Sequence, residues 1–396
     1  MHKIISLRVW KPCLFLFCYL LSPGSFASLD GISVDAFGQR IDLINISGNQ
    51  RSQEKYVLKW SGLAVGQLFE KQLLNAARQE LMDTGLFKQV SFQSEEQSDG
   101  RLALHILLEE KRYTLLLPRL SRNGDGDVKV GIRLRMHNLA GADQTLSALI
   151  QKEEEEDGDD SELIRLRYRM PLYDLPYTLS WRLSHEIENT EEENFNNIET
   201  SNFISMGVSR DWDIDSLAIP LTVATSISFE QRKLDRPYPD DIEAREAGDF
   251  NRLSLALIYD DAHREKYRRY GSFYQISLAR GFNALGSDYE SNILTIEAIR
   301  FIRLNRGDNF NFWVVTAFSH DSPYDYLRYS IGGASNLRGL EDEDERGDAR
   351  VFSNWEYIVA YKRYPGVRHT FFIDIGNVYK TASDIDLTEL HYTIGT

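Results

Sequence analysis

Cysteine is confined to Cys13 and Cys18, at the start of the chain, so the rest can form no disulfide and offers no thiol nucleophile or thiolate metal ligand. Long apolar runs are equally scarce. The stretch from Cys13 to Leu21 falls short of the about 20 apolar residues that a membrane-spanning helix needs. Positive charge is in deficit, with a net charge of −15, which argues against a nucleic-acid partner. The eight histidines are scattered with no spacing suited to a metal. No glycine-rich loop follows a strand and opens a helix, as phosphate binding requires. Ser330 and His320 share one long connection, but nothing fixes their geometry. The chain reads as non-enzymatic, with no catalytic, cofactor or metal site.

The beginning of the chain has a clear order. Basic residues in Met1 to Lys11 precede the apolar run, and small residues end it at Ser25-Phe26-Ala27. This is the pattern of a secretory signal peptide over residues 1–27. Roughly 370 residues follow, enough for one small and one large domain. An exported chain without a second apolar run can cross a membrane only with strands.

Residues 40–112 read as a small mixed α+β domain. Ile41 to Ile46 alternates as a strand, Gly48-Asn49 makes a turn, and Gln53 to Trp60 suits a short helix. Leu68, Phe69, Leu73, Leu74, Ala77 and Leu81 recur at helical spacing and give one apolar stripe. Thr84-Gly85 ends that helix, and Leu86-Phe87 folds back on it. Two strands follow, about Gln89 to Gln93 and Arg101 to Glu109, joined through Asp99-Gly100.

Beyond residue 113 the helical period disappears. Val130, Ile132, Leu134 and Met136 alternate with Lys129, Gly131, Arg133 and Arg135, and Ile164, Leu166, Tyr168 and Met170 alternate with Arg165, Arg167 and Arg169. Leu253 to Tyr259, Tyr274 to Leu278 and Phe310 to Val314 repeat the pattern. Such repeated strands predict a large antiparallel sheet or barrel over residues 113–396. Short connections near 138–141, 171–175, 212–216, 304–307 and 363–366, with a somewhat longer one at 261–269, contrast with long, mostly acidic ones at 153–161, 188–199, 232–248 and 320–349. Short turns at one rim and long loops at the other suit a membrane barrel. A soluble sandwich also alternates, but its polar face would be rich in lysine and glutamate; here that face favours arginine, serine, asparagine and glycine. The acidic run Glu153 to Asp160 reads as a solvated loop.

The most informative segment is Ser330-Ile-Gly-Gly-Ala-Ser-Asn-Leu-Arg-Gly-Leu340, which includes Gly332, Gly333, Arg338 and Gly339. It precedes two alternating strands. In one, Trp355, Tyr357, Val359 and Tyr361 oppose Asn354 and Glu356; in the other, Phe371, Ile373 and Ile375 oppose Asp374 and Gly376. A lone carboxylate opposite an aromatic face suits a wall that is wet inside and lipid-covered outside, and makes Arg338 the natural partner of Glu356 and Asp374.

These residues resemble the BamA/TamA-type superfamily of outer-membrane protein assembly and translocation factors, the bacterial surface antigens, over nearly all of the chain after residue 27. Gly48-Asn49, Gly66, and Thr84-Gly85-Leu86-Phe87 followed by Val90 are similar to one polypeptide-transport-associated (POTRA) domain. Asn138-Leu-Ala-Gly141 is similar to the turn between the second and third barrel strands, and Arg338-Gly339 with Asn354, Glu356, Asp374 and Gly376 to the lumen latch. The resemblance implies that the Arg338 loop folds into the lumen, where a guanidinium fork can serve both carboxylates and Gly339 permits close approach to the wall.

Leu340 stands where the family commonly has phenylalanine, and about fourteen strands are counted here against the family's sixteen. The sequence is therefore expected to lack its last two strands or to be a divergent form. The resemblance implies an outer-membrane location with the POTRA domain in the periplasm. It also implies insertion or export of polypeptides captured at a sheet edge, around Val90 or Leu104. Outer-membrane lipids, unfolded or secreted polypeptides and periplasmic accessory proteins are the implied partners. Pro118, in the first barrel strand, removes a ladder donor and is a candidate gate. Alternatives are a dedicated two-partner secretion transporter, or a passive porin or surface antigen.

Overall fold

The computed structural model describes residues 32–33, 36–122, 128–154, 160–192, 195–214, 219–235, 247–265, 267–320, 328–333, 336–340, 346–361 and 363–396. The expected signal segment, 1–27, lies outside the described residues, as does the centre of the 153–160 acidic run.

The small unit runs β1 (Leu43–Ser47), α1 (Glu54–Ser61), α2 (Lys71–Asp83), β2 (Phe87–Glu96) and β3 (Leu102–Glu110). Its sheet order is β1-β3-β2, with β1 parallel and β2 antiparallel to β3. Val57 from α1 and Leu74, Ala77 and Leu81 from α2 pack on Phe92, Leu104 and Ile106, all buried. Two sequence expectations are corrected. Leu68 and Phe69 precede α2: Leu68 bridges Arg40, and Phe69 donates its backbone N–H to the Gln39 carbonyl while its ring is fully buried. Their apolar spacing is satisfied by pairing with the entering chain. The strand around Leu104 is not an edge, because it is the central strand, paired on both sides. Its run Leu102-Ala-Leu-His-Ile-Leu-Leu108 is almost continuously apolar; Leu102, Leu104, Ile106 and Leu108 are buried on one face, while His105 and Leu107 on the other are partly exposed.

The large sheet comprises β4 (Thr114–Arg122), β5 (Val128–Leu139), β6 (Gln144–Glu154), β7 (Asp160–Pro171), β8 (Tyr177–Glu192), β9 (Phe195–Ile214), β10 (Ile219–Leu234), β12 (Arg252–Asp260), β14 (Arg269–Gly281), β15 (Asn292–Arg303), β16 (Asn309–His320), β19 (Ala349–Tyr361), β20 (Tyr364–Tyr379) and β21 (His391–Gly395), paired in that order. Two short strands lie beside this path: β11 (Gly248–Asp249) on β10 and β13 (His263–Arg264) on β14. A separate ribbon joins β17 (Tyr329–Ser330) to β18 (Arg346–Gly347). The architecture is an antiparallel β-barrel wall. Period-two alternation places apolar side chains outward in rows, such as Ile132–Ile150–Ile164 and Leu257–Ile276–Ile296, each row formed by register partners and each member exposed. Exposed apolar rows beside an inner face of arginine, serine and carboxylate match a lipid-facing wall around a polar lumen.

The rims differ from expectation at two places. The 188–199 segment is not a long loop, since β8 and β9 pair as far as Glu192 and Phe195. Backbone pairing continues through its acidic residues and outweighs their poor strand propensity. The connection after β14 was not foreseen: residues 283–285 form a 3-10 turn, and the Asn251 amide donates to the Leu285 carbonyl at 2.8 Å.

Candidate functional site

Two features organise the interior and mouth of the barrel. The first is the Arg338 loop. Leu337, fully buried, anchors it among Val315, Ile331, Phe352 and Val378, with Leu340 packed at the margin. That cluster brings Arg338 against the inner faces of β19 and β20. The Arg338 Nε donates to Asp374 Oδ2 at 2.7 Å, Nη2 to Asp374 Oδ1 at 2.6 Å, and Nη1 to Glu356 Oε1 at 2.8 Å. Its backbone N–H also reaches Asp374 Oδ2, at 3.1 Å. Asp374 is fully buried, so its charge depends on this one cation. Removing one partner of such a pair costs about 3–5 kcal/mol.

Supporting contacts complete the latch. The Asn354 amide donates to the Asn336 carbonyl at 2.6 Å, and Asn311 donates to Glu356 Oε2 at 3.3 Å. The Arg338 guanidinium lies 3.8 Å from the Phe372 ring centroid, a cation–π contact. Phe372 and Asn311 were missed in the sequence, although Phe372 lies two residues from Asp374 and so shares its face. At Gly376 a Cβ would lie 2.5 Å from Phe352 Cβ, so only glycine fits. Gly339 has another reason: its φ is +87°, and a Cβ there would meet nothing within 4 Å. Close approach to the wall, expected from the sequence, is corrected to a left-handed backbone requirement. Gly332 and Gly333 also have positive φ, and the Gly333 N–H donates to the Leu340 carbonyl at 3.0 Å, closing the loop.

The second feature is the seat of the small unit on three short turns of the barrel. At the turn between β5 and β6, Asn138 is fully buried and donates its amide to Ser52 Oγ at 2.8 Å. The Gln53 N–H donates to the Gly141 carbonyl at 3.1 Å, and its side chain to the Ala140 carbonyl at 2.6 Å. A Cβ at Gly141 would lie 2.2 Å from the Arg51 carbonyl oxygen, so this glycine sets how closely the units meet. Tyr113 is buried beside Ser52, and burial pushes its phenol up to about 12. At the turn after β7, Tyr173 stacks edge-on against Tyr56 at 4.8 Å and its carbonyl accepts from Lys59. At the turn between β12 and β14, Asp83 accepts from the His263 ring at 2.7 Å and from the Arg264 N–H at 2.6 Å. Gln79 bonds the Arg264 carbonyl and the Tyr270 hydroxyl, each at 3.2 Å.

The remaining sequence candidates are dispersed. Gly48, Gly66 and Gly85 sit in turns of the small unit, Asn49 donates to the Ser52 carbonyl at 3.1 Å, and Leu86, Phe87 and Val90 are in its core. Pro118 lies opposite Ile132 in β4, at one end of the strand path, and the β4–β5 register runs through it without a shift.

Comparison with known proteins agrees with this arrangement. Residues 138–389 match the Omp85 superfamily domain, and residues 39–111 match the surface antigen variable number repeat, a POTRA domain. No curated protein sequence matches the chain. Among solved structures, BamA from Haemophilus ducreyi lacking POTRA domains 1–3 is 16% identical, with a TM-score of 0.54, and the alignment covers 90% of this chain and 78% of that one. CdiB from Acinetobacter baumannii is 14% identical with a TM-score of 0.60, covering 90% and 66%. CdiB from Escherichia coli is 13% identical with a TM-score of 0.52, covering 94% and 84%. At such identities the structures speak for a shared fold, while the Omp85 match extends over more than half of the sequence. A latched barrel with one POTRA unit seated at its mouth thus has its family: the chain belongs to the Omp85 superfamily.

Proposed function

We propose that this protein resides in the outer membrane with its POTRA unit in the periplasm, where it captures extended polypeptides and passes them to the barrel for insertion or export. The observation that carries this reading is the three-turn seat, which holds a small sheet directly at the barrel mouth. In that sheet β2 pairs only with β3 among the described residues, which leaves its outer edge for an added strand. The Arg338 latch serves as the inner brace of the wall, and β4, with Pro118, forms one side of the seam through which a chain leaves. A passive pore needs neither the seated POTRA unit nor the latch. Unfolded or secreted polypeptides are the substrates, outer-membrane lipids the surroundings, and periplasmic accessory proteins further partners.

Deleting residues 40–112 tests the reading. Surface delivery of client proteins should be lost while the barrel remains heat-modifiable on semi-native electrophoresis. Normal client delivery after the deletion would favour the porin reading.

A further inference from the structure

A second wall of the lumen carries chemistry that neither the latch nor the seat uses. On the inner face of β5 to β9, register partners form one row across the strands: Arg135 opposite Ser147, Ser147 opposite Arg167, Arg167 opposite Arg182, and Arg182 opposite Ser205. One step along, Arg133 and Arg165 flank Leu149 in the same way. All of these line one cavity of about 670 Å³, and no carboxylate lines it. Its neighbours Arg169 and Arg252 are each matched, by Asp143 at 3.1 Å and Glu230 at 2.6 Å. Among the described residues Arg133, Arg135, Arg165, Arg167 and Arg182 form no ion pair. Glu186, on the same face of β8 but nearer the long-loop rim, is close enough to Arg165 to feel its charge but forms no salt bridge with any of the five.

Like charges directly opposite on paired strands are destabilising, so the facing Arg167 and Arg182 work against the wall that carries them. Ionisable side chains inside a membrane protein that lack partners of their own mark a path for something charged. An anion removes the conflict, because a guanidinium fork donates to carboxylate or phosphate oxygens and the intervening serines add hydroxyl donors. Lipid lies on the other side of this wall, where Ile132, Ile150 and Ile164 point outward, so the visitor enters through the lumen. Arg165 and Arg167 stand at alternate positions of one strand, about 6.8 Å apart along it, the same period as alternate side chains of an extended chain.

We infer that this basic wall binds an acidic, extended segment of the polypeptide in transit, one with carboxylates at alternate positions. This rests on the proposed transport function and specifies its substrate class.

The test uses the full-length protein in detergent and two short fluorescent peptides of one sequence, with either glutamate or glutamine at alternate positions, read by anisotropy. The glutamate peptide should bind about tenfold more tightly, the scale of one charge-assisted hydrogen bond. That preference should vanish in the Arg165→Gln/Arg167→Gln double variant and persist in the Arg165→Lys/Arg167→Lys variant, provided each keeps its heat-modifiable mobility. Strand addition at β2 uses backbone groups and treats the two peptides alike. Equal binding of both peptides would therefore overturn the basic-wall assignment and leave the transport reading standing. Binding of neither would overturn both. Competition by inorganic phosphate at the same concentration as the glutamate peptide would also overturn it, making the wall a general anion site.

Discussion

The two sides of the lumen treat arginine in opposite ways. On β19 and β20 one arginine meets two carboxylates and an aromatic ring, and its own backbone N–H donates to Asp374 as well. On β5 to β9 five arginines share a wall with serines, and two of them face each other. The same residue type is a brace in one place and an unmet charge in the other. The difference is the local supply of carboxylate, not the net charge of the chain, which is strongly negative.

The contrast can be broken by mutation, with thermal loss of the compact form on semi-native electrophoresis as the common readout. Arg338→Ala should have the largest effect, a loss of about 3–5 kcal/mol, because it strands the fully buried Asp374 carboxylate without a cation. A melting temperature like that of the unaltered protein would mean that the latch bears no load. Arg338→Lys keeps the charge but not the fork, and should cost about 1.5–3 kcal/mol; full retention of stability would reduce the latch to a point-charge contact. Asn354→Ala removes the tie to the Asn336 carbonyl and should cost about 1 kcal/mol. Arg167→Gln should have the smallest effect and the opposite sign, a gain of about 0.2–1 kcal/mol from relieved repulsion. If it instead destabilised the barrel, the two walls would be alike after all.

Much of this was legible in the sequence because its signals are local. Alternation over ten residues separates inner from outer faces, so Glu356 and Asp374 could be assigned to the lumen before any contact was known. The apolar run at Leu102–Leu108, broken only by His105, is denser than the alternation of β2 and is the one local sign that β3 is the inner strand. The seat of the POTRA unit was not legible. Asn138 and Ser52 are 86 residues apart, and His263 and Asp83 are 180 apart; nothing in the spacing of a serine, an asparagine or a histidine announces such a partner. The Asn138 to Gly141 turn could be read as a hairpin, but not as a docking surface. The opposed arginines of β7 and β8 lie between these extremes, since both faces were readable and only the register was missing.

The seat also has a mechanical consequence. Supports at the turns around residues 140, 173 and 264 are three separate points, and three points fix a plane as the legs of a stool do. A body held this way cannot rock about one contact while the others stay closed. Any pull on the exposed edge of β2 is therefore shared among the hairpins of β5–β6, β7–β8 and β12–β14, and becomes a load on the barrel rim itself.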